Sequence, residues 1–279
     1  MTSIWEIESL VRLKDKLKNI LIDRRVDVSD DDNLNTLVDK VNRIGNNTVF
    51  NSFLSDSISN YYNDEITSLK EYAFYCNRSM VGTIELPNII SIGMYALSSM
   101  PNVKKIIANK LESFNGNNTC YSSSFEEIEF RNLTRVNAND FIGCNKLKKL
   151  YIPKVSFNGN TCISSTSLEY VCVKAENYFA SNSLSVKSNL VMKIIIINYI
   201  SKVVPCTSLA NFPNYALTEG DCYIYVPRDL LESYKIATNW STYADRFRAI
   251  EDYKNEICEV FPLFEEDYAG TWDESEVLE

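Results

Sequence analysis

The side chains of this 279-residue chain that could do acid–base chemistry are few and clustered: Glu126, Glu127 and Glu129 in one run, and Asp30, Asp31 and Asp32 in another. If residues 127–129 are extended, Glu127 and Glu129 fall on one face, which superficially suits the carboxylate pair of a glycoside hydrolase. Nothing near them in sequence would raise one of the two into an acid, so a solvated pair is the simpler reading. The Asp run lacks the spacing of a calcium loop. There is no histidine at all. That removes histidine general bases, Ser-His and Cys-His nucleophile pairs, and the commonest zinc ligand together. No Gly-rich phosphate loop, HExxH, GxSxG or dinucleotide fingerprint occurs. The expectation is a protein that is not an enzyme, with no catalytic residue, cofactor or metal site. Hydrolysis through Glu127 and Glu129 is the catalytic alternative, and it requires both to line a closed pocket.

Eight cysteines are present without a CxxC pair. Cys76 and Cys144 occupy matching places, as do Cys120 and Cys162, each in a Thr-Cys pair. Small buried hydrophobes usually fill such positions, so free core thiols are expected, with disulfides or a metal site as the alternative.

The elements that must position these residues repeat. From Ile66 to about Asp229 the chain can be written in rows, 66–88, 89–110, 111–132, 133–154, 155–176 and 177–198, followed by a longer row ending CYIYVPRD. A period of about 22 residues is the signature of a solenoid and lies within the leucine-rich repeat range. Each row carries an apolar set: Val81, Ile84, Leu86; Val103, Ile106, Ala108; Phe125, Ile128, Phe130; Leu147, Leu150, Ile152; Leu168, Val171, Val173. The last two members of each set are two residues apart, as a strand needs to place both on one face. Short parallel strands follow, and rows must stack because one row cannot bury its apolar face alone. Earlier in the row, Ile66, Leu69, Ala73 and Phe74 match Ile89, Ile92, Ala96 and Leu97, and this half should return as a turn or irregular segment behind the sheet. The residue between the two strand apolars, Glu85, Ile107, Glu129, Tyr151 and Cys172, should face outward on the concave side, with Lys105, Glu127, Lys149 and Tyr170 beside it. That ladder is either a binding strip, as solenoids commonly present, or a solvated sheet face. Asn77, Asn102, Asn145 and the Asn115-Gly116 and Asn158-Gly159 pairs read as turns.

The phrases ITSLKEYAFYC, DFIGCNKLKKLYIP and IELPN resemble the BspA-like leucine-rich repeat family, whose units alternate an Ala-Phe-x-x-Cys segment with a Leu-x-x-Ile-x-Ile-Pro strand. Rows one to four match well; rows five and six have lost the Ala-Phe pair and the Pro. The resemblance implies a leucine-rich repeat solenoid and an adhesion scaffold, since the family occurs in bacterial surface proteins and bacteriophage structural proteins. It leaves the ligand open.

Outside the rows the pattern changes. In residues 1–48, Leu10, Leu13, Leu17 and Ile20, and then Leu34, Leu37, Val41 and Ile44, step by three and four, predicting a helical hairpin whose second helix is led by Ser29 and the Asp run. The opening LVRLKDKLKNILIDRRVDVSDDDNLNTLVDKVNRI resembles the N-terminal segment of phage tail and tail-fibre proteins, which implies attachment or oligomerisation; a plain cap on the first row is the other reading. Residues 49–65 are a linker or an imperfect row, and 66–229 are the solenoid. Residues 230–253 resemble the family's closing segment and predict a cap helix, with Trp240, Tyr243 and Phe247 as its core or, alternatively, as a sugar-stacking platform. The acidic tail, 254–279, carries Val260-Phe261-Pro262-Leu263-Phe264 and Tyr268-Trp272, which should dock either on a partner subunit or on the chain's own solenoid.

With 37 acidic against 28 basic residues, nucleic acid is not an expected partner, because phosphate binding rests on Lys and Arg. The start MTSIWEIESLVRLKDKL has no apolar core of a signal peptide, and no run is long enough to span a bilayer. Taken together these readings predict a bacteriophage virion structural protein, assembled in the host cytoplasm, whose partners are other virion proteins, copies of itself and a host-surface glycan or protein. A bacterial cell-surface adhesin is the alternative.

Overall fold

The structure is a computed structural model that describes residues 58–272, apart from 138, 158–162, 178, 180–182, 187, 188, 210 and 211, together with positions 14, 15, 18, 21, 28, 29, 31–33, 36 and 37. Its centre is a nine-stranded, wholly parallel sheet whose strands lie side by side in chain order. They are Ile58–Tyr62, Met80–Glu85, Val103–Ile107, Glu127–Glu129, Lys149–Ile152, Tyr170–Val173, Ile194–Ile197, Tyr223–Val226 and Phe247–Ala249. Parallel neighbours one row apart require the chain to travel around a coil between them, so the molecule is a stack of similar turns.

The register shows why the apolar spacing matters. Ile84, Ile106, Ile128, Leu150, Val171, Ile195, Ile224 and Phe247 are successive partners across the sheet, and all are buried. Burying each such side chain stabilises by about 1.5–3 kcal/mol, and no row gains it without its neighbours. In the first row the register slips between Gly82 and Thr83, so Met80 is buried where Val81 was expected and Val81 is only half-buried.

The returning half of each row is more regular than the sequence suggests. Ser68–Leu69, Ser91–Gly93 and Ser113–Asn115 form a second parallel sheet, and Phe141–Ile142 pairs with Ile163–Ser164. Stacked turns place backbone groups of adjacent rows face to face on every side, and buried N–H and C=O groups must pair. At the next corner the first four rows repeat the same turn: Tyr75, Ser98, Tyr121 and Ile142 donate their N–H to the carbonyls of Tyr72, Tyr95, Asn118 and Asn139. Those four acceptor residues have φ of 59°, 56°, 59° and 68°. Four residues further on, Cys76, Ser99, Ser122 and Gly143 also have positive φ.

The 230–253 segment is not the single cap helix expected. A short helix, Leu231–Ile236, and a 3-10 stretch, Trp240–Arg246, lead into the ninth strand, Phe247–Ala249. Ala237 is already extended, with ψ of 147°, and Phe247 completes the inward ladder by pairing in register with Ile224. Trp240 is fully buried among Phe179, Phe212, Tyr234 and Phe247, its Nε1 donating to the Val204 carbonyl at 2.7 Å. Tyr243 and Phe247 are likewise buried, so the three residues are core and offer no stacking platform.

Of the eight N-terminal positions assigned to attachment, Leu37 is described and is fully buried. Leu10, Leu13, Leu17, Ile20, Leu34, Val41 and Ile44 lie outside the described residues. Ser29 Oγ accepts the Asp31 N–H at 3.2 Å and Asp32 Oδ2 accepts the Ser29 N–H at 2.9 Å, while nearer Leu37 the Asn33 Oδ1 accepts the Thr36 N–H at 2.9 Å. Among the described residues seven cysteines are free; Cys120, Cys144, Cys172 and Cys222 are buried, whereas Cys76 is exposed at its positive-φ corner rather than in the core. No helix among the described residues is long and apolar enough to cross a membrane.

Candidate functional site

The candidate site is the outward face of the nine-stranded sheet. The residues predicted to form a ladder there do so: Glu85, Ile107, Glu129, Tyr151 and Cys172 are successive register partners, and the ladder continues through Ile196 and Tyr225 to Arg248. Their surroundings divide it in two. Glu85, Ile107 and Glu129 are half-buried, whereas Tyr151 and Cys172 are buried at 3% and 0% exposure. Tyr151 and Cys172 are therefore not part of an open strip, as the sequence reading had it.

What covers them is the chain's own C-terminal segment. The helices Lys254–Val260 and Phe264–Asp267 lie across the last rows. Ile257, Phe261, Phe264 and Tyr268 close a second hydrophobic core with Tyr151, Cys172, Ile194, Ile196 and Tyr225. The rings of Tyr151 and Phe261 are 5.1 Å apart. Of the two docking modes left open for the tail, the described residues take the intramolecular one.

A polar clamp fixes the segment. Arg131 Nε donates to Asp267 Oδ1 at 2.7 Å and its Nη2 to Glu266 Oε2 at 2.6 Å. Tyr151 Oη donates to Asp267 Oδ2 at 2.7 Å, and Asn198 Nδ2 donates to the Asp267 carbonyl at 2.8 Å. The Asp267 side chain is only 4% exposed, and an uncompensated carboxylate would be costly there; the guanidinium and the phenol supply the compensation. Burial, with Cys172 and Asp267 adding to it, pushes the Tyr151 phenol well above its ordinary range, so it is a permanent donor.

Beside the cover, the sheet face and the Lys254–Val260 helix leave an open groove of about 990 Å³ lined by residues that include Lys149, Tyr170, Lys193, Tyr223, Arg248 and Glu259. Its floor is the neighbouring outward ladder, in which Lys105, Glu127, Lys149 and Tyr170 are register partners, as predicted, and continue to Ile194 and Tyr223. Charges alternate in sign from row to row. Lys105 pairs with Glu127 at 3.0 Å, Lys148 with Glu126 at 3.3 Å and Lys193 with Glu169 at 3.0 Å. Opposite charges directly across a strand pair favour the observed register. Lys193 Nζ lies 5.5 Å from the Tyr170 ring centre and the Arg248 guanidinium 4.3 Å from that of Tyr223. The hydrogen bond from Lys193 to Glu169 holds the lysine's pKa above its usual value.

Glu127 and Glu129 do share a face, but each is committed elsewhere, Glu127 to Lys105 and Glu129 to Asn109 Nδ2 at 2.7 Å. The gap they share beneath Phe261 and Leu263 holds only about 10 Å³. Arg248, Tyr223 and Arg131 were missed by the sequence reading. Arg248 lies on the unexpected ninth strand, and Arg131 became significant only once its tail partner was placed.

A coil of parallel rows with one long outward face, half open and half closed by its own tail, defines the class: a solenoid-like repeat protein. No known protein family model matches the chain, and no curated protein matches it.

Proposed function

We propose that the protein is a non-enzymatic contact protein, a structural component of a bacteriophage particle in its tail, baseplate or fibre, whose leucine-rich repeat body meets a host surface or neighbouring subunits. In this reading residues 1–48 form a helical hairpin that attaches the body to the particle or to further copies of itself. The segment from Leu231 onward closes the last row. The observation that carries the reading is the outward sheet face: a long, ordered ladder of alternating charge and tyrosine, open over its first rows and grooved beside the tail, is a surface suited to contact. Glu127 and Glu129, engaged with Lys105 and Asn109, fit such a surface better than they fit a hydrolytic pair.

Mass spectrometry of purified intact particles tests this. The expected result is recovery of the protein at a fixed copy number; its absence from particles, with free protein in the lysate, overturns it. Comparing the mass in solution of the full chain with that of residues 49–279 tests the attachment role, and unchanged stoichiometry shows that the opening residues do not hold copies together.

A further inference from the structure

Away from the sheet face, the first two rows depart from rows three and four at the corner turn. Tyr72, Tyr95, Asn118 and Asn139 are equivalent by their turn hydrogen bonds, and all four have positive φ. Asn tolerates this backbone region, because its short amide can bond locally, whereas a bulky aromatic is an outlier there. Rows three and four thus carry the residue the turn favours, and rows one and two carry one it disfavours. A residue that breaks a local rule without need points to a role outside folding.

The two tyrosines make a platform. Their rings stack at 5.3 Å with planes 11° apart, and Tyr75 packs edge-on against both, at 5.5 and 6.1 Å. Tyr72 and Tyr75 remain 42% and 41% exposed. Neither the Tyr72 nor the Tyr95 hydroxyl has a hydrogen-bond partner among the described residues. Beside Tyr72 is a hollow of about 620 Å³ bordered by Ser68, Lys70, Glu71, Ser91 and Asn115. None of these five side chains has a hydrogen bond or ion pair with a described residue. Gly93 also borders the hollow, and the two rows can approach this closely there because position 93 lacks a Cβ, which would stand 2.6 Å from the Glu71 nitrogen.

We propose that this tyrosine corner and its hollow form a binding site for neutral hexopyranose chains. The exposed parts of the Tyr72 and Tyr75 rings suit the C–H faces of a sugar. Hydroxyls, an amide, one amine and one carboxylate offer donors and acceptors to its hydroxyl groups. The single positive and single negative charge, Lys70 and Glu71, cancel, so neither an anionic nor a cationic ligand is favoured. The site deepens the contact reading by naming a ligand class, yet it is tested on the purified chain, so its failure leaves particle membership untouched.

The test is saturation-transfer NMR of the full chain with maltohexaose, cellohexaose and hexa-N-acetylchitohexaose at millimolar concentration, repeated on the double variant Tyr72→Asn/Tyr95→Asn. Asn is the residue that rows three and four already carry, so the variant's melting temperature is expected to be unchanged or higher. Transfer to at least one of the three sugars is expected in the parent, weakened about tenfold or more in the variant by loss of the aromatic contacts. Absence of transfer in the parent with all three sugars, as for a patch that meets only protein, overturns the proposal. So does equal transfer in parent and variant.

Discussion

One sheet face carries two kinds of surface. In the first rows the outward ladder reads Glu85, Ile107, Glu129 and stays half-open; in the later rows it reads Tyr151, Cys172, Ile196, Tyr225 and is sealed. From Ile84 onward the ladder runs through both halves without a break in register, so the side chains explain the difference. Carboxylates can remain in water at little cost, whereas a run of Tyr, Cys and Ile on an outward face requires a cover. The tail supplies it with Ile257, Phe261 and Phe264. A change of side-chain type along a ladder of fixed geometry is thus the mark of an intramolecular partner.

The largest expected effect comes from ending the chain at Tyr253. Uncovering Tyr151, Ile194, Ile196 and Tyr225 should lower the melting temperature more than any single substitution below and should make chains associate, as seen by light scattering. A monomer of unchanged stability would break the comparison, because the covered half would then need no cover. Next is Phe264→Ala, expected to cost about 3–5 kcal/mol in urea unfolding, as for other fully buried aromatics; a cost below about 1 kcal/mol would place this ring outside the core.

Asp140 sharpens the comparison as a control lying under neither half of the outward face. Burial raises its carboxyl to about 6 from 3.8, although the Thr119 and Asn137 N–H groups oppose this by bonding the ionised form. Between about pH 4 and 6 the folded chain keeps the proton while the unfolded chain has released it. Stability from this group is therefore fully present below that window and falls as pH rises through it, by about 3 kcal/mol in total. Urea unfolding from pH 4 to 7 should show the slope in the parent and not in Asp140→Asn, with Phe264→Ala retaining it. Smallest is Lys105→Ala in the open half, where loss of the exposed pair with Glu127 should cost under about 1 kcal/mol; a larger loss would mean that the open face is held more tightly than its exposure implies.

Most of the stacking was legible because a 22-residue period fixes which side chains meet: the inward sets from Val103 to Val173 are buried as read, and the outward ladder runs in the order expected. The ninth strand was not legible, since the three residues Phe247–Ala249 carry no alternation long enough to distinguish from a helix. The return-side ladders were hidden for a related reason, as strands of two or three residues leave almost no periodic signal. The tail's apolar clusters were visible, but an acidic segment with scattered aromatics suits a partner's surface as well as its own. The switch from Glu129 to Tyr151 and Cys172 held the missing information, and it became readable only once these residues were known to be register partners. The tyrosine corner was hidden too, because the positive φ at Tyr72 and Tyr95 belongs to the coil's geometry and not to residue preference.

The cover itself is tested most directly by thiol alkylation of the native full-length chain, followed residue by residue with mass spectrometry. Cys76 is exposed and Cys172 lies wholly beneath the tail, so Cys76 should be modified rapidly while Cys172 stays protected until the protein unfolds. Modification of Cys172 at a rate matching that of Cys76 would show that the C-terminal segment does not rest on the sheet.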